Sequence, residues 1–140
     1  MADFTSQINE KVALNGTTKE ALVVQNITNT NYIDNRTTTI PSGSLTTIFE
    51  FSSNTGAGTF NSSSFQYARI TNRSTAVPVK VTINSSMNTM SYLIATGSSF
   101  MLSSTKMSTD PNSFSFEEIT TVQLEPSGSS ANIEYFIVGS

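Results

Sequence analysis

Val77-Pro78-Val79-Lys80-Val81-Thr82-Ile83 is the stretch that decides the fold class. Branched apolar residues at every second position put one face of an extended chain in a core. They leave Lys80 and Thr82 on the other face, in water. Pro78 has no N–H to give to a neighbouring strand. It therefore belongs at the start of this strand, or the strand belongs at a sheet edge. Outward from here the short apolar period recurs at Phe65–Ile70, Ser91–Ala95, Phe100–Leu102, residues 117–124 and residues 131–138. In the last of these Ile133, Tyr135 and Ile137 share a face. On the N-terminal side, Leu45–Phe51 and the Thr-rich Arg36–Ile40 read as strands, and Ala21–Ile27 reads as a buried one. Turn signals separate them: Asn29-Thr30-Asn31, Asp34-Asn35, Pro41-Ser42-Gly43, Thr96-Gly97-Ser98, Asp110-Pro111-Asn112 and Pro126-Ser127-Gly128.

Strands spaced roughly ten residues apart, with no helical period in the body, predict an all-β chain. The expected form is an antiparallel β-sandwich or jelly-roll-like barrel of about eight strands. Residues 1–18 read as an extended N-terminal arm and residues 19–140 as a single β-sandwich domain. Phe4, Ile8 and Val12 stand four apart, which fits one face of a short helix or the anchors of an extended segment. Asn15-Gly16 is the turn that ends the arm. Residues 52–64 read as a long loop whose one large apolar side chain is Phe60.

Composition excludes much chemistry. The chain has no His, Cys or Trp. Without imidazole or thiol there is no Ser-His-Asp triad, no cysteine nucleophile, no ordinary zinc or haem site and no disulfide framework. No cofactor and no metal are expected. Charged residues make up 12%, the net charge is −3, and the seven basic residues are dispersed. That balance does not neutralise phosphates, so no nucleic-acid partner is expected. The apolar runs are far shorter than the roughly 20 residues of a membrane span. Met1-Ala2-Asp3-Phe4 shows neither the basic nor the apolar part of a secretory leader, and the expectation is folding in a cytoplasm.

Of 140 residues, 23 are Ser, 21 Thr and 13 Asn, which suits exposed strand faces and turns. So few apolar residues predict a thin core that gains stability from a partner subunit.

Other motifs have structural readings. Six Asn-x-Ser/Thr sites, at Asn15, Asn26, Asn35, Asn61, Asn72 and Asn84, are close to what this composition gives by chance. Gly56-Ala57-Gly58 lacks the lysine and helix of a phosphate loop. Glu117 and Glu118 are adjacent on a strand and so point to opposite faces, which rules them out as a glycosidase pair. Tyr67 and Tyr135 are expected to point inward. Tyr32 and Tyr92 remain as candidate platforms for a sugar.

Four runs together resemble a known family. These are Phe65-Gln66-Tyr67-Ala68-Arg69-Ile70-Thr71-Asn72, Val77–Ile83, Ser91-Tyr92-Leu93-Ile94-Ala95 and Gly97-Ser98-Ser99-Phe100-Met101-Leu102. The pattern is similar to small β-sandwich virion proteins of tailed bacteriophages that decorate or cement the capsid. The resemblance implies a non-enzymatic virion structural protein made in the host cytoplasm. It implies a homo-oligomer that bridges neighbouring subunits, with the major capsid protein or another virion protein as partner. A tail, neck or fibre component, or a carbohydrate-binding or adhesin domain, fits the same residues. The side chains expected at a protein interface are Phe4, Ile8 and Val12 in the arm and Phe60 in the loop, where Phe60 has a second reading as a cap on the core.

Overall fold

The computed structural model describes residues 2–140. Every regular element among them is a strand: β1 (Ala2–Leu14), β2 (Thr17–Thr30), β3 (Tyr32–Ile40), β4 (Thr46–Ser52), β5 (Thr59–Asn61), β6 (Phe65–Asn72), β7 (Val79–Ser85), β8 (Thr89–Ile94), β9 (Ser99–Leu102), β10 (Lys106–Met107), β11 (Glu117–Pro126) and β12 (Ala131–Gly139). Two sheets face each other across one core. The first runs β3-β12-β6-β9 and the second β5-β4-β11-β7-β8, with β10 also on β11. All pairings are antiparallel except β4 with β5.

Without β5, β10 and the first two strands, eight strands remain. Renumbered along the chain, they run 1-8-3-6 in one sheet and 2-7-4-5 in the other. That is the order of a jelly roll, two Greek keys folded over one another. Neither sheet closes into a barrel.

The alternation at Val77–Ile83 produces the centre of this core. Val79 and Val81 are 0% exposed and Ile83 is 1%. Their strand lies inside its sheet, between β11 and β8. Pro78 stands just before it, where no ladder N–H is needed, and its carbonyl accepts from the Ser127 N–H at 3.0 Å. Opposite, Tyr135 of β12 meets Phe49 of β4 edge to face at 5.1 Å. Between β11 and β4 the register passes from Phe49 to Thr47 and skips Ile48. This bulge turns two consecutive residues, Ile48 and Phe49, into the core. The buried Asn72 fastens the β6–β7 link. Its Nδ2 donates to the carbonyls of Val77 (2.8 Å) and Ile94 (3.3 Å), and its Oδ1 accepts from the Ser74 N–H at 3.0 Å.

Three expectations are corrected. Asp34-Asn35 is not a turn but lies within β3, paired with Phe136 and Ile137 of β12. Residues 52–64 are not all loop, since Thr59–Asn61 form β5. Ala21–Ile27 is a strand, but of these residues only Ile27 is buried. It is hydrogen-bonded into neither sheet of the sandwich.

Candidate interaction surface

Among the described residues β1 and β2 pair only with each other. The arm is therefore a hairpin that reaches to Thr30, and the expected boundary at residue 18 falls inside it. Asn15 (φ 50°) and Gly16 (φ 77°) both sit in the left-handed region. That is the requirement of a two-residue type I′ turn, whose twist matches the flanking strands. From Leu14↔Thr17 to Phe4↔Ile27 the register is unbroken. Phe4, Ile8 and Val12 thus share one face of an extended strand, opposite Ile27, Val23 and Lys19, and no helix forms.

The hairpin is docked only near its base. Phe4 packs on Tyr67 at 5.3 Å and on Phe136 at 5.2 Å. With Ile27 and Val138 these rings form a second apolar cluster. It lies on the outer face of the β3-β12-β6-β9 sheet, because Tyr67, Phe136 and Val138 alternate with the core residues of their strands. Tyr67 was expected to point into the sandwich. It points out, and the hairpin buries it. Further along, Ser6, Ile8, Val23 and Gln25 lie beside Tyr67 and beside Met101, Leu102 and Ser103 at β9. The hairpin therefore runs across the strands toward the β9 edge. Around Glu10–Val12 and Lys19–Ala21 the neighbouring surface is its own.

The four residues expected at an interface have different fates. Phe4 is half-buried at the base and Ile8 half-buried over β9. Val12 is 54% exposed on the projecting half. Phe60 lies in the core beside Phe49 (5.8 Å) and Tyr32 (5.5 Å), which is its second reading.

Most of this surface lies outside the residues expected at an interface. Leu14, Leu22, Val23 and Val24 are all exposed on the hairpin. A signal was present: Asn-Gly flanked by apolar runs is a hairpin marker, not merely the end of an arm. Phe114, 96% exposed, and Phe116 pack edge to face at 5.0 Å in the loop before β11.

Every basic side chain of the sandwich pairs with a carboxylate. Glu134 accepts from Arg69 and Arg73, each at 2.7 Å. The bond from Arg69 holds its carboxyl below the usual range, with Arg73 adding to the effect. Arg36 pairs with Asp34, Lys80 with Glu125 and Lys106 with Glu118. Among the described residues Lys11 and Lys19, both on the hairpin, are the basic side chains without an ion-pair partner. Burial pushes the Tyr135 hydroxyl upward, and the Asp34 carboxylate beside it adds to this.

Glu117 takes hydrogen bonds from Ser85 and Asn88, while Glu118 pairs with Lys106. Among the described residues no three His, Cys, Asp or Glu side chains gather as metal ligands would. Of the two tyrosines considered for sugars, Tyr32 is turned against Phe60 and the Gly139 backbone. Tyr92 is open and lies beside Phe100 at 5.6 Å. No family model matches this chain, and neither a curated protein nor a solved structure does.

Proposed function

We propose that this protein is a non-enzymatic structural subunit of a virion, a decoration or cement protein that bridges neighbouring capsid subunits. One observation carries the reading. A hairpin of two long strands stands out from a well-packed sandwich with Val12, Leu14, Leu22, Val23 and Val24 exposed. An isolated two-stranded ribbon is marginal in water, and apolar residues on both of its faces favour burial against another molecule. The jelly-roll order agrees, since capsid proteins use it, although lectins do too.

The test shortens the hairpin without touching its docked base. Replacing residues 9–22 by Asn-Gly joins Ile8 to Val23, which are already register partners, through the same kind of turn. Circular dichroism of the shortened chain keeps its β signature. Particles assembled with it lose it on purification and keep the full chain. Equal occupancy of the two on particles overturns the reading.

The exposed Tyr92 favours a second reading, carbohydrate binding. A glycan array on which binding is lost with Tyr92→Ala would select it.

A further inference from the structure

We infer that the partner of the projecting hairpin is the hairpin of a second copy, joined edge to edge, β1 of one copy on β2 of the next. This rests on the assembly role proposed above and names the contact through which assembly runs. Among the described residues both long edges of the hairpin are unpaired. Beyond the irregularity at Ala2/Phe4 the strands hold no bulge and no proline, two of the devices that keep edges from pairing. Lysine is a third such device, and here each Lys has a Glu beside it: Glu10-Lys11 on β1 and Lys19-Glu20 on β2. The sandwich leaves none of its basic residues without a carboxylate. The two unmatched lysines are these. Within the hairpin, Glu20 accepts from Asn9 at 3.0 Å.

Backbone parity then selects the edge. The turn bonds Leu14 to Thr17, so Leu14, Val12 and Glu10 direct their N–H and C=O groups inward, and Ala13, Lys11 and Asn9 direct theirs to the free edge. On β2 the free-edge residues are Thr18, Glu20 and Leu22. Antiparallel strands can pair only with outward residues facing outward residues. Laying β1 on β1 across a twofold axis through the charged pair therefore sets Glu10 on Glu10 or Lys11 on Lys11. β2 on β2 gives Lys19 on Lys19 or Glu20 on Glu20. Like charges directly opposite are destabilising. β1 on β2, in the register the hairpin itself uses, sets Lys11 opposite Glu20 and Val12 opposite Lys19. Such a contact is heterologous, and it closes into a ring or runs on as a chain.

The chain has no cysteine, so an introduced pair reports without background. Val12 and Lys19 of adjoining copies would form a non-hydrogen-bonded pair, with Cα atoms about 4.5 Å apart, within disulfide range. Val12→Cys and Lys19→Cys are made in separate chains, which excludes a bridge within one hairpin. The expected result is a band at twice the 15.1 kDa chain mass when the two are mixed under oxidation, and none from either alone. Equal bridging by Val12→Cys alone means twofold pairing and overturns the inference, as does a mixture that fails to bridge. Light scattering of the unaltered chain needs no variant: three or more copies support the inference, and a mass that stops at one or two overturns it. Particle occupancy of the shortened hairpin reports separately. Bridged hairpins with unchanged occupancy uphold the pairing and remove the attachment role; the reverse removes the pairing alone.

Discussion

Replacing Phe4 by alanine should release the hairpin and leave the sandwich folded. The ring is half-buried and touches two others, Tyr67 at 5.3 Å and Phe136 at 5.2 Å. A fully buried Phe→Ala change costs about 3–5 kcal/mol, and each aromatic contact is about 0.5–1.5 kcal/mol of such a loss. Half burial with two contacts brings the cost to about 2 kcal/mol. At about 1.4 kcal/mol per tenfold, that is roughly a 30-fold shift toward the undocked hairpin. The loss stays local because β12 and β6 keep their ladders with β3 and β9 and their core face. Hydrogen exchange read by mass spectrometry should show β1 and β2 losing protection by roughly that factor, with β6, β7, β11 and β12 unchanged. Protection lost evenly over the whole chain, with a matching drop in melting temperature, would refute the reasoning. It would mean that hairpin and sandwich unfold as one unit.

Leu124→Ala acts at the opposite extreme. Leu124 is 0% exposed at the middle of the core, so the change should cost about 3 kcal/mol, and thermal melting should fall by roughly 10 °C. Gly16→Ala meets nothing within 4 Å, but its φ of 77° strains any side chain. Hairpin exchange should speed up by a cost of about 1 kcal/mol while the melting of the sandwich holds. Glu134, held low chiefly by the hydrogen bond from Arg69, binds its proton later in the folded than in the unfolded chain. Its contribution is therefore complete above the ordinary glutamate value of 4.5 and fades as pH falls through the lower folded one. Urea titrations at low salt should show Glu134→Gln flattening this acid limb; identical slopes in both proteins would count against it.

The period of two at Val79, Val81 and Ile83, and again at Ile133, Tyr135 and Ile137, needed no coordinates to be read. Alternation states which residues share a face, and a single covered face is all that a sandwich strand requires. Pro78 likewise announced its position, since a missing N–H has few tolerable places. The candidate surface was legible only in part. Phe4, Ile8 and Val12 stand out as a set in the sequence, but Asn15-Gly16 reads there as the end of an arm and not as the turn of the hairpin that carries them.

What sequence alone determined is an all-β chain, its principal core strands, and an N-terminal segment standing apart from them. Tertiary structure decided which covered face belongs to which neighbour. Tyr67 stands two residues after the core residue Phe65, as an inward side chain would, yet it faces outward and is buried by Phe4, far away in the chain. Ala21-Leu22-Val23-Val24 has the composition of a buried strand and lies open. An apolar run records that its residues leave water; whether the cover comes from the same chain or another molecule depends on where the chain places them.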